Sequence, residues 1–178
     1  MFFKMQEFYY KDIYFCYSDK NAISYVDALK STSSKIDNMY YDVDCLDDIV
    51  NQYDILPTLG LPLVSQRFFD LFKDKLGKEI NLIPAVIMDS EGRVNSHFYA
   101  LQVLTCYECV DFVRSHISYK NYGNRLWMTI KNLIIDMNKV GSASIFSLKE
   151  KHGYIIVNNA VKEQCEKLKG FEFKYISE

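Results

Sequence analysis

The longest uninterrupted apolar run in this chain, Leu82 to Met88, has the length of a single β-strand. Turn residues bound it, with Gly77 before it and Ser90-Glu91-Gly92 after it. A membrane helix needs about 20 apolar residues in succession, so the chain is expected not to cross a bilayer by helices. It must instead bury many short elements against one another. Residues 79–89 and 92–104 read as two strands joined at Ser90-Glu91-Gly92, a hairpin signal. Further strands are expected at 8–17, where aromatics cluster, and at 126–136, 143–149, 153–157 and 171–176. A helix is expected over 65–76, with Ser65 as N-cap, Phe68, Phe69, Leu71, Phe72 and Leu76 at helical spacing, and Gly77 just past its end. A second is expected over 159–168, capped by Asn158 or Asn159 and ended at Gly170. Residues 18–35, with Ser31-Thr32-Ser33-Ser34, and residues 119–125 read as loops. The segment 106–118 is open between strand and short helix. Strands in runs with helices inserted singly predict an α+β fold: one domain over 1–178, a largely antiparallel sheet and a few single helices.

Charge narrows the function. Twenty-one basic residues against 23 acidic give a net of −2, without the basic excess that a general nucleic-acid binder needs for its phosphates. The charge is also unevenly spread. The first 60 residues carry ten acids and five bases, and the remainder carries thirteen acids and sixteen bases. Residues 36–54 alone hold six aspartates and no basic residue. An apolar content of 49% excludes an intrinsically disordered chain. Five scattered cysteines, an odd number, argue for reduced thiols and a cytoplasmic protein rather than a secreted disulfide scaffold. The start, Met1 to Glu7, has a charge of each sign where a signal peptide needs an apolar core.

Familiar catalytic and ligand-binding patterns are missing. Cys106-x-x-Cys109 lacks the second pair that a structural zinc site requires, and His97, His116 and His152 are far apart in sequence. No G-x-S-x-G elbow frames a serine nucleophile, and the seven glycines form no phosphate-binding loop. The stretch Asp42-Val43-Asp44-Cys45-Leu46-Asp47-Asp48 lacks the spacing and closing glutamate of a calcium loop. Its carboxylates serve either as a solvated acidic face or as paired groups for acid–base or metal chemistry.

Ordered short motifs carry a family resemblance over residues 55–175. Leu61-Pro62-Leu63-Val64-Ser65-Gln66-Arg67-Phe68 opens it, and Ile80 to Val86 with Pro84 follows. Then come Phe98 to Leu104, Val110-Asp111, Leu133 to Asp136 and Ile145-Phe146-Ser147-Leu148. The series closes on Tyr154 to Val157 and Gly170-Phe171-Glu172-Phe173. The series resembles a family of bacterial immunity proteins that accompany polymorphic toxins, immunity family eleven. Ser147 stands where that family has arginine, and residues 1–54 carry none of its motifs. The resemblance implies a non-enzymatic protein that binds a cognate toxin effector and blocks its active site or its access to substrate. No cofactor or metal is expected, nor any direct contact with nucleic acid or membrane.

On that reading the acidic third offers the binding surface, because many such toxins are enzymes with basic clefts and opposite charge accelerates encounter. The expected toxin-binding residues are Asp42, Asp44, Asp47 and Asp48, with Tyr40, Tyr41 and Tyr53 as aromatic anchors. The competing expectations are a small metal-dependent hydrolase or nuclease using the acids in 42–48, and an adaptor subunit of a larger assembly.

Overall fold

The computed structural model describes residues 1–30, 36–123 and 125–177. The first strands are β1 (Phe2–Glu7), β2 (Phe15–Tyr17), β3 (Met39–Val43), β4 (Ile55–Leu56), β5 (Thr58–Leu59), β6 (Leu63–Ser65), β7 (Ile80–Asp89) and β8 (Val94–Val103). They are followed by β9 (Cys106–Tyr107), β10 (His116–Tyr122), β11 (Arg125–Asn132), β12 (Ile145–Leu148), β13 (Ile155–Asn158) and β14 (Phe171–Ile176). Three short α-helices are interspersed: α1 (Tyr25–Lys30), α2 (Gln66–Phe72) and α3 (Asn159–Cys165). The fold is broadly α+β but mostly β. None of these helices is long and apolar enough to cross a membrane.

The strands form a seven-stranded sheet in the order β4-β6-β8-β7-β3-β2-β5, a five-stranded sheet β14-β1-β13-β12-β9, and the hairpin β10-β11. Most pairs are antiparallel; β3 with β7, β2 with β5 and β9 with β12 are parallel. The expected 79–104 hairpin is the long β7–β8 pair, and Gly92 supplies the positive φ of 81° that its turn requires. Both expected helix caps form. The Ser65 hydroxyl accepts from the Phe68 N–H, and the Asn158 side chain accepts from the Val161 N–H. Both helices are shorter than their patterns, α2 giving way to a 3-10 turn at Lys73–Lys75.

Two expectations need correction. Residues 8–14 of the expected 8–17 strand are not a strand, because the chain there crosses from the five-stranded to the seven-stranded sheet. Tyr9 is buried in that crossover against Phe15 and Tyr53. The preceding residues 2–7 form β1, clasped between β13 and β14. Residues 119–122 and Arg125, expected in a loop, are paired strand at the end of the β10–β11 hairpin, next to Gly123 with φ 59°, and residue 124 lies outside the described residues. The expected loop at 18–35 contains α1, and its Ser31–Ser34 part lies outside the described residues.

The apolar core fills three spaces. One cluster lies between the two large sheets, joining Phe3 and Val157 to Val64, Leu101 and Ile80, with Phe68 and Phe72 of α2 and Val161 of α3. A second packs α1 and the 46–53 segment onto the seven-stranded sheet through Ala28, Tyr41, Ile87 and Phe98. The third packs the hairpin and the 133–135 segment onto the five-stranded sheet through Ile130, Ile135, Phe146 and Ile156. Carboxylates tie the sheets at their rims. Glu79 Oε2 accepts from the Ser144 and Ile145 N–H groups and the Ser144 hydroxyl, at 2.7–2.9 Å. Asp54 does the same between α2 and the turn before β14.

Candidate functional site

Strand alternation decides what the acidic stretch exposes. Successive side chains of β3 point to opposite faces, and Met39, Tyr41 and Val43 take the core side. Tyr40 and Asp42 therefore face outward, Asp42 exposed and Tyr40 half-buried. Asp42 stands beside Cys16 on β2 and Met88 on β7. Beyond the strand end, Asp44 is fixed by its backbone carbonyl, which accepts from the Ser90 hydroxyl at 2.7 Å.

Asp42 and Asp44 line an open concavity of about 680 Å³ together with Asp12, Tyr14, Lys20 and Leu59. Tyr14 is 52% exposed and Leu59 58%. Among the described residues, the carboxylates of Asp12, Asp42, Asp44 and Asp48 make no ion pair. Lys20 leaves them as well, its ammonium lying 3.4 Å from the Met88 sulfur. The floor is rigid. The Asp89 carboxylate is buried and accepts from the Leu46, Glu91 and Arg93 N–H groups and from Arg93 Nε at 2.7 Å. The Leu46 N–H is the main reason its pKa falls to about 2, and the other bonds add to it. Asp89 thus pins the 44–46 segment to the β7–β8 turn and orients Asp44.

The other expected residues separate from this cluster. Asp47 is a structural group. It accepts from the Ile49 and Val50 N–H groups at the start of a 3-10 turn, and from Tyr10 and Lys11. Burial works against its charge, but the bonds from Lys11 and Tyr10 outweigh it and hold its pKa below the usual carboxylate range. Asp48 is exposed on the same turn but does not line the concavity. Tyr41 and Tyr53 are corrections, because neither can serve as a surface anchor. Tyr41 is fully buried, with its hydroxyl on the Leu61 carbonyl at 2.9 Å. Tyr53 is 4% exposed, packed against Tyr9 with Lys169 above its ring at 4.4 Å. The period-2 pattern of Met39-Tyr40-Tyr41-Asp42-Val43 already places Tyr41 inward. Asp12, Tyr14 and Leu59 escape a reading along the sequence because only the crossover and the parallel β2–β5 pairing bring them beside β3.

Cys106 and Cys109 are both free thiols, in different surroundings. Cys109 is buried, and burial first, then Glu150, pushes its thiol up to about 12. Cys106 is exposed, with the His152 ring 3.9 Å from its sulfur. Among the described residues, no three His, Cys, Asp or Glu side chains converge closely enough to hold a metal ion. Of the acids of 42–48, Asp42 and Asp44 line the concavity, while Asp47 is bonded within its turn and Asp48 stands outside it.

Two comparisons bear on this arrangement. The model of the Immunity protein family (Imm11) matches residues 23–178. The match begins ahead of residue 55, where the motif resemblance starts, and takes in β3 and the whole acidic stretch. No curated protein matches the chain.

Proposed function

The chain belongs to the Imm11 immunity protein family, and from that membership we propose that it binds a cognate toxin effector and neutralises it in the bacterial cytoplasm. The role fits interbacterial competition through polymorphic toxins. Such a protein acts as a single-domain binder, not an enzyme: it covers the toxin's active site or the path to it.

For the binding surface, the reading rests on one observation. Asp12, Asp42 and Asp44 line one concavity whose lysine, Lys20, pairs with none of them among the described residues, and Tyr14 and Leu59 are exposed there. Carboxylates without internal partners set up a negative field that attracts a basic cleft. Exposed aromatic and aliphatic side chains beside them supply contact area once the partner has docked. Asp48 extends the field from the neighbouring turn. Tyr40 contributes its half-buried ring from the outer face of β3. Asp47 contributes by holding the loop, and Tyr41 and Tyr53 by filling the core beneath it.

The test is charge reversal at the exposed acids, Asp42→Lys, Asp44→Lys and Asp48→Lys together, with toxin binding followed by rapid kinetics at several salt concentrations. The association rate constant is expected to fall by about tenfold or more and to lose most of its salt dependence. An unchanged rate with unchanged salt dependence removes the acidic face from the interface.

A further inference from the structure

A second surface gathers four lysines, with the charge of Glu7 felt at Lys4 and Glu150 lining the adjoining groove. Lys4 on β1 stands directly opposite Lys174 on β14. Residues directly opposite on antiparallel strands have Cβ atoms about 5 Å apart, and like charges placed so destabilise the pair. Lys131 and Lys151 converge on the same area. Lys174 Nζ donates to the Lys131 carbonyl at 3.3 Å, and Lys151 Nζ donates to the Met128 carbonyl. Among the described residues, none of these four lysines makes an ion pair. Two of the amines rest on aromatic rings instead. Lys4 Nζ lies 3.8 Å from the Tyr154 ring centroid, and Lys151 Nζ lies 5.3 Å from Tyr154 and 5.1 Å from Trp127. Lys4, Lys131, Tyr154, Lys174 and Tyr175 line a small concavity of about 160 Å³. Tyr154 and Lys151 continue it into a groove of about 460 Å³ beside Trp127, which is 58% exposed. Burial lowers the Lys4 pKa most, the charge of Glu7 works against it, and the ammonium groups of Lys174 and Lys151 lower it further.

The geometry points to a docking site for an acidic peptide segment, a run of Asp or Glu side chains on a partner protein, at the lysine–aromatic surface of β1, β14, β11 and Tyr154. Carboxylates entering the concavity complete ion pairs that the chain itself leaves unmade and relieve the repulsion between Lys4 and Lys174. A nucleic acid is the poorer fit. Its phosphates meet a protein of net charge −2, whereas a short acidic segment needs only the local lysines. Trp and Tyr set among cations is also the composition of protein-binding surfaces. The proposal is independent of the acidic face. A toxin assay can succeed or fail without bearing on it.

The test uses the full chain and its only tryptophan, Trp127, as reporter. Hexaglutamate peptide, inorganic phosphate and a twelve-residue oligothymidylate are each titrated at low salt while the fluorescence is followed. A saturable change with hexaglutamate is expected, weakened at least tenfold in a Lys4→Gln, Lys174→Gln double variant and weakened again by added salt. The double variant is expected to melt no lower than the parent, since it removes a repulsion, so weaker binding will not reflect misfolding. The proposal is overturned if hexaglutamate gives no saturable change, or binds the variant equally well. It is overturned too if phosphate or oligothymidylate binds as tightly as the peptide. A signal that shifts on dilution of the chain alone assigns the surface to a second copy and overturns it as well.

Discussion

Replacing Asp54 by alanine should destabilise this fold strongly. Asp54 is 2% exposed, and its side chain joins segments far apart in sequence. Oδ1 accepts from the Ser65 hydroxyl at 2.6 Å, and Oδ2 accepts from the Lys169 N–H at 2.8 Å. Backbone bonds run alongside, from the Asp54 N–H to the Lys169 carbonyl and from the Ser65 N–H to the Asp54 carbonyl. A hydrogen bond to a charged group contributes about 1.5–3 kcal/mol. The Arg67 guanidinium at 3.1 Å is 62% exposed, so solvent screens its share and it adds little. Taking the lower half of the range for both bonds, because the Lys169 end is only part-buried, gives about 3–4 kcal/mol for Asp54→Ala. At about 2–4 °C per kcal/mol for a chain of this size, the melting temperature should fall by about 6–16 °C. Asp54→Asn keeps the volume and one acceptor oxygen and should lose about half as much. Thermal and urea unfolding of both variants, with Ser65→Ala and the Asp54→Ala, Ser65→Ala double variant, measures the coupling directly. A loss below about 0.5 kcal/mol for Asp54→Ala, or strict additivity in the double variant, refutes the reasoning.

Acid should unfold the protein through groups that the fold holds ionised. Asp89 is depressed to about 2, and Asp47 and Glu79 are also lowered. Carboxylates with a folded pKa below the unfolded value stabilise above that unfolded value of about 4, and the contribution is lost as pH falls towards about 2. The melting temperature should decline across that window, and Asp89→Asn should flatten the decline; an unchanged profile in that variant counts against the assignment. Gly170→Ala should be far worse than Gly92→Ala. Both have positive φ, but a Cβ at Gly170 lies 2.9 Å from Tyr53 Cδ1 and 3.0 Å from the Ile55 and Phe8 carbonyls, whereas nothing crowds Gly92. Equilibrium unfolding should give about 1 kcal/mol for Gly92→Ala and at least about 2 for Gly170→Ala, and equal losses contradict the packing argument. Thiol labelling of the native protein should modify Cys16, Cys45 and Cys106 quickly and spare Cys109 and Cys165, whose buried thiols are pushed up to about 12. Five fast thiols would contradict that burial.

What the sequence makes legible is local. The β7–β8 hairpin, the Ser65 and Asn158 caps and the turns at Gly77 and Gly170 all follow from signals within a few residues. The misreadings come from long-range choices. The aromatics of 8–14 have strand propensity, yet they fill the crossover between sheets, since β1 takes the central place between β13 and β14. Tyr119 to Tyr122 looks polar enough for a loop, yet packing of Ile117, Met128 and Ile130 on the five-stranded sheet keeps it in the hairpin strand β10. The same division holds for the acidic face. Composition locates its stretch, and alternation along β3 sorts Asp42 from Tyr41. Asp12, Tyr14 and Leu59 reach it only through pairings that no local pattern specifies.

The proposal that this Imm11 chain neutralises a toxin by binding it stands or falls on one experiment. Co-expression with a candidate cognate toxin domain, read as growth of the host and as complex formation by the purified proteins, is the deciding measurement. The account predicts restored growth and a stoichiometric complex. Undiminished killing with no complex between the two proteins would contradict it.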